Sequence, residues 1–299
     1  MERKDLYQTI TDKIITALES GVRPWHMPWS AGNTEGRIVR PLRHNGEGYN
    51  GINILMLWGE AVEKGYSSPY WMTFKQAVEF GGHVRKGERG TMVVYASTYS
   101  KTEETDDGAE EERNIPFLKS YTVFNAEQIE ELPERFRVSP AAPLDSVERI
   151  QAAEAFFSTI PADVRHGGGR AFYSITEDFI RLPAFEVFES AEAYYATRAH
   201  ETAHWTRHPS RLDRDFGRKR WGDEGYAMEE LVAEMAAAFV GAGIGIAPMV
   251  LDEHTAYIAS WLKVLKGDKR AIITAASHAG KAADFLAGFH QGQQETIAA

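Results

Sequence analysis

The stretch RAHETAHWTRH, Arg198–His208, packs three histidines and a glutamate into eleven residues, and its reading decides the fold. On a helix, positions i and i+4 share one face, so His200 and His204 can point at a single ion. Imidazole nitrogens hold zinc at about 2.0–2.1 Å. Glu201, beside the first histidine, reaches a metal-bound water and is the candidate general base. A chance HExxH in a chain of this composition arises with a probability of roughly 3 in 100. The competing reading is a polar helix face that holds no metal.

A catalytic metal site wants a third protein ligand and one open position. MEELVAEM, from Met228 to Met235, supplies it on a second predicted helix, with Met228, Leu231, Val232 and Met235 as its buried face. Either Glu229 or Glu230 is the candidate third ligand, since spacing alone does not choose. Glu234, one turn beyond Glu230, is expected to orient a histidine from behind. His208 is expected beside the site rather than on the ion. Tyr173, on the strand before the motif helix, is a candidate oxyanion donor or a core residue. Its neighbour Phe172 is expected in the core. Arg211 and Arg214 either orient carboxylates or make surface ion pairs. Zinc is the first expectation for the ion, with manganese and cobalt also compatible with His/carboxylate ligands.

Composition narrows the classes. There is no cysteine, so disulfides and thiolate metal sites are excluded, and with them the H-x-E plus C-x-x-C pattern of zinc deaminases. No segment approaches the roughly 20 apolar residues of a membrane span. MERKDLYQTITDKIITALESG is charged from the start and lacks a secretory apolar run, so a cytoplasmic location is expected. The net charge is −10, unevenly spread. Residues 1–100 carry 12 Lys+Arg against 10 Asp+Glu, and the rest carry 21 against 33. The first half can therefore face a nucleic acid although the whole chain is acidic.

That first half reads as helices over residues 3–20, after YNG at Tyr49–Gly51, and over TFKQAVEFGG, then a basic turn, RKGERG, feeding a strand. KTEETDDGAEEERNI, from Lys101, carries seven acidic residues and is expected to be a solvated excursion between two paired strands. LPERFRVSPAAPLDSVERI, with three prolines, is the linker candidate. It places domains at 1–135 and 136–299. After it come a helix from about Ser146 to Ile160, a short strand region, the motif helix with Ser190 as N-cap, and further helices. Single-strand binders combine aromatic platforms with a cationic groove. Trp25 and Trp29 in PWHMPW, with Arg43, Lys75, Arg85, Lys86 and Arg89, are the candidates. Trp58 and Trp71 are expected in the core.

The chain resembles the ArdC family of plasmid antirestriction proteins. The resemblance rests on YQTITDKIITALESGVRPWHMPW, YNGINILMLW, TFKQAVEFGGHVRKGERGT and VFNAEQIEEL. In the second half it rests on AFYSITEDFIRLP, HETAHWTRHPSRLDRDFG and YAMEELVAEMAAAFVGAGIG. The family implies an α+β fold: a small α+β N-terminal domain that binds single-stranded DNA, adding Tyr49 and Asn50 to its candidate residues, and a mainly helical zincin-like metallopeptidase domain with a small edge sheet. It further implies protection of conjugating plasmid DNA from host restriction, with restriction enzyme components as candidate protein partners and no membrane. His200 and His204 match the metal histidines, Glu201 the general base and one glutamate of EELVAE the third ligand. A DNA-coating protein with a structural metal site is the alternative.

Overall fold

The computed structural model describes residues 5–25, 39–104, 110–137, 146–217, 223–246 and 257–298. Asp5 Oδ1 accepts from the backbone N–H of Tyr7 and Gln8 and opens helix α1 (Leu6–Glu19), whose Ile10, Ile14 and Leu18 form a buried stripe. Helix α2 (Ile52–Lys64) follows Gly51, which sits at φ 59°, ψ −137°, a conformation reserved for glycine. Helix α3 (Phe74–Glu79) starts with a capping box in which Thr73 and Gln76 exchange side chain-to-backbone bonds.

Around these helices, β1 (Leu42–Arg43), β2 (Tyr70–Met72), β4 (Thr91–Glu104) and β5 (Glu110–Asn125) form a sheet in the order β1-β2-β5-β4. β1 and β2 are parallel and the other pairs antiparallel. β3 (His83–Val84) pairs with β6 (Ile129–Glu130) in a separate ribbon. The acidic excursion is narrower than the sequence suggests, because the β4–β5 ladder runs on to the pair Glu104↔Glu110. Ladder bonds belong to the backbone and carry pairing into charged sequence. Residues 105–109 lie outside the described residues, as does 138–145 of the proposed linker. At the linker's start, Leu132 and Phe136 pack with Met72, Ala77, Ala126 and Ile129 in a small cluster of their own.

The second half is mainly helical. α4 (Ser146–Phe157) precedes a three-stranded sheet of β7 (Asp163–His166), β8 (Phe172–Ser174) and β9 (Phe179–Leu182), in the order β7-β9-β8. Ser190 caps α5 (Ala191–Trp205), its Oγ accepting from Ala193 N at 3.1 Å. Asp223 caps α6 (Glu224–Ile244). α7 (Ile258–Gly267) and α8 (Ala271–Ala298) complete the bundle. The fold is thus α+β, with a small α+β N-terminal part and a mainly helical C-terminal part. Among the described residues no helix is long and apolar enough to cross a membrane.

One buried apolar cluster runs through both halves, from Ile10, Trp25 and Trp58 to Leu231, Trp261 and Leu286. Trp58 meets Phe239 of α6 edge-on at 5.8 Å, and Thr11 Oγ1 donates to Lys269 O at 2.7 Å. Small residues let the helices close up: Ala275, Ala276, Ala279 and Ala282 of α8 are fully buried, and α8 packs against α6.

Helix α6 ends by folding back on itself. Gly245 at φ 76° caps it, and Ile246 N–H bonds Gly241 O at 3.0 Å. A Cβ on Gly241 would meet Ile246 O at 2.4 Å, a backbone clash that no rotamer relieves. Gly241→Ala is expected to cost about 1–3 kcal/mol, read as a melting temperature several degrees lower in a thermal scan.

Candidate metal centre

The site is built where α5 crosses α6. HETAH places His200 and His204 one turn apart on α5, and both side chains are buried against α6. There Glu230 completes a group with ligand atoms all within 4.8 Å of one another. Nε2 of His204 is 3.2 Å from Nε2 of His200. Glu230 Oε2 lies 3.4 Å from His200 Nε2, and its Oε1 lies 3.6 Å from His204 Nε2. Three atoms held about 2.0–2.1 Å from one ion at tetrahedral angles stand about 3.3–3.4 Å apart. The donor set therefore fits a small divalent cation in both chemistry and spacing.

Behind each histidine stands a carboxylate, at hydrogen-bond distance for His204 and farther off for His200. Glu229 Oε1 accepts from His204 Nδ1 at 3.0 Å. The same carboxylate is gripped by Arg214, whose Nε reaches Oε2 and whose Nη2 reaches Oε1, each at 2.8 Å. Arg214 also donates to Thr206 Oγ1 and Ala203 O, both at 3.1 Å. Of the two candidates for third ligand, Glu230 thus converges with the histidines and Glu229 stands behind one of them. Glu234 Oε1 lies 3.8 Å from His200 Nδ1. Glu201 is buried in the same turn of α5, close enough for its charge to stabilise protonated His200.

Electrostatics follow the geometry. Burial opposes charge on His204, but Glu230 and Glu229 overcome it and raise its pKa to about 10. Burial likewise opposes ionisation of Glu229, and Arg214 and His204 reverse that, bringing it down to about 2. Burial would also raise the Glu230 carboxyl, yet the two histidines hold it well below the usual range.

Other expected residues have hydrogen-bond partners of their own. His208 turns to Ser210, its Nδ1 2.8 Å from the hydroxyl. Tyr173 OH donates to Asp178 Oδ1 at 2.8 Å and accepts from Arg211 Nη2 at 3.1 Å, which commits its proton to Asp178. Phe172 is not in the core but exposed on edge strand β8. Two residues near the centre have a place there that the sequence did not suggest, one of them Trp25. Tyr226, one turn ahead of Glu230, hydrogen-bonds that carboxylate and the Tyr257 hydroxyl. Trp25 donates from Nε1 to Glu234 Oε2 at 3.2 Å.

Trp25 is accordingly no stacking platform. Its ring is fully buried, edge-on to Trp261. Tyr49 is buried too, under the Arg43 guanidinium at 5.4 Å. Trp58 and Trp71 are core residues. Trp29 lies outside the described residues. Asn50, Arg43, Lys75, Arg85, Lys86 and Arg89 are exposed. Three of these cations sit near acids: Arg43 with Glu47, Lys75 with Glu79 and Arg85 with Glu88. Among the described residues the exposed aromatics of the first half are instead Phe74, Tyr95 and Tyr121.

Because Glu229 titrates near 4.5 when unpaired and near 2 in the fold, its contribution to stability is present above about pH 4.5. It is lost as the pH falls from there towards about 2. Arg214→Met leaves that carboxylate buried with half its partners gone, at a cost of about 3–5 kcal/mol. Urea unfolding of the variant at neutral pH is expected to show this loss, and the acid limb of its stability profile to flatten.

Two family models match the chain: residues 4–124 fit the N-terminal domain of anti-restriction factor ArdC, and residues 151–278 fit a zincin-like metallopeptidase. An uncharacterized protein, y4eC, of Sinorhizobium fredii is 38% identical over 288 residues, 94% of this chain and 91% of that one. DNA primase TraC of Escherichia coli is 37% identical over 97% of this chain, which spans 28% of the primase. The metal-free crystal structure of antirestriction protein ArdC from plasmid R388 matches with TM-score 0.79 and 46% identity, over 96% of this chain and 98% of that one. Its Mn(II)-bound structure matches with TM-score 0.76 and 44% identity over the same shares. With the fold, the zincin-like half and the N-terminal half all in agreement, the chain belongs to the ArdC family of antirestriction proteins.

Proposed function

We propose that this antirestriction protein binds single-stranded DNA through its N-terminal half, assigned to residues 1–135, and works as a metal-dependent peptidase through residues 136–299. The observation that carries the second part is the convergence of His200, His204 and Glu230: the two ring nitrogens stand 3.2 Å apart, and the two oxygens of Glu230 lie 3.4 Å from one and 3.6 Å from the other. A divalent ion there, zinc by ligand type or manganese as in the R388 relative, would lower the pKa of a bound water and polarise a peptide carbonyl. His200, His204 and Glu230 hold it, while Glu229 and Glu234 fix the two rings from outside. Glu201 takes the proton of the water and passes it to the leaving amine. The protein substrate is a component of the restriction machinery met on the DNA.

For DNA, the supporting features are the exposed cations Lys86 and Arg89, the exposed rings of Tyr95 and Tyr121, and a groove of about 300 Å³. Asn50, Asn53 and Tyr95 line that groove from one half, Ser277 and Lys281 from the other. Aromatic faces and cations side by side suit a flexible strand read by stacking and phosphate contact. A second reading, a DNA-coating protein with a structural metal, draws on the burial of the ligand carboxylates in the shared core.

Elemental analysis should find a divalent metal in the purified protein and none after His204→Ala; equal metal in both would rule out the site. Glu201→Gln should keep metal and DNA binding and lose antirestriction, whereas full antirestriction in that variant selects the structural-metal reading. Fluorescence anisotropy with a labelled oligonucleotide should give an affinity falling linearly with log salt. Lys86→Ala and Arg89→Ala should each lower that slope by about 1. No binding at low salt would overturn the DNA assignment.

A further inference from the structure

Trp25 belongs to the half matched by the ArdC N-terminal model, yet its only polar atom is aimed at the zincin-like half. The indole N–H is a donor with no acceptor capacity. It meets Glu234 Oε2 at 3.2 Å, with both side chains buried. The other oxygen of that carboxylate stands 3.8 Å from His200 Nδ1. A second route runs through packing. Trp25 is edge-on to Trp261, which leans on Tyr257, whose hydroxyl is 2.8 Å from that of Tyr226, which bonds Glu230.

We propose that Trp25 is a positioning residue for the metal centre: its N–H fixes the Glu234 carboxylate, and through it the ring of His200. The N-terminal half thereby completes the site in the other half. The proposal rests on the reading of His200, His204 and Glu230 as metal ligands. The logic parallels the other histidine, where Arg214 holds Glu229 and Glu229 holds His204. Partners of this kind set ring orientation and ligand basicity, and their loss typically costs about 10–100-fold in metal affinity.

The test is Trp25→Phe in the full chain, which keeps an aromatic ring against Trp261 and deletes the N–H. Calorimetric titration of the metal-stripped protein with Zn²⁺ should show affinity about 10–100-fold weaker than wild type. In the Glu234→Met background the same change should do nothing further. A Trp25→Phe affinity within twofold of wild type overturns the proposal, and so does an equal loss in both backgrounds, which would mark the ring as packing alone. Wild-type protein that binds no divalent ion sinks the metal reading itself, a separate result. Should either variant fail to fold, ¹⁵N-tryptophan-labelled wild type provides the second measurement. The Trp25 indole resonance should shift and its exchange slow on adding Zn²⁺, and an unmoved resonance at metal saturation overturns the proposal.

Discussion

Three glutamates, Glu229, Glu230 and Glu234, are buried within two turns of α6, and the elements packed around that helix supply each with partners. An ionised group removed from water costs several kcal/mol unless charges and donors replace its hydration. Each acid has its own answer: Arg214 for Glu229, the two histidines for Glu230, Trp25 for Glu234. Meeting all three fixes the crossing of α5 on α6. It also requires the chain to turn back sharply after α5. Asp213, at φ 45°, takes the left-handed backbone that a non-glycine residue avoids, and Arg214 follows it into the core. Such strain, about 1–3 kcal/mol, is offset by the bidentate pair it makes possible.

The same requirement ties the two halves together. Trp25 can reach Glu234 only if α1 lies against α7 and α2 against α8, as they do. Gly51 and Gly280 permit the second contact, since a Cβ on Gly280 would stand 3.3 Å from Gly51 N. α8 is then a shared wall. Its alanines close on α6, which carries the carboxylates, while Ser277 and Lys281 face the groove that α2 and β4 complete. Packed at interior density, such a helix has little room to move independently of either neighbour.

The cluster of His200, His204 and Glu230 was legible because its signal is local. HETAH and EELVAE each write i,i+4 geometry into five or six residues, and a chain without cysteine offers few other ligands. That Glu230 converges with the histidines while Glu229 does not was not legible, because it depends on how α6 is turned towards α5 and on the grip of Arg214 on Glu229, which sequence leaves between ion pair and surface. Trp25 was misread for a related reason. PWHMPW has the look of an exposed loop, and only contact with residues more than 200 positions away makes its indole a core group. Tyr95 and Tyr121 carried the opposite problem. The register Val93↔Tyr121 sets both rings on the face of fully buried Val93, so alternation along VVY and SYT marks them as core although they are exposed. Capping signals, by contrast, were local and held at Ser190.

Two halves that fold against one another should be found together, and the relatives bear on this. The match to y4eC runs through 94% of the chain without stopping at the linker, and the match to TraC through 97%, although that primase is much longer. If the halves were independent beads, either could accompany the rest of the primase alone. A common core from Ile10 to Leu286 gives a physical reason for the joint appearance: separating the halves would expose Trp58 and Phe239 to water. It would also leave the Glu234 carboxylate without its indole donor, in the helix that carries Glu230. The unit that the fold makes indivisible is therefore the His200–His204–Glu230 cluster together with the N-terminal segment that packs behind it.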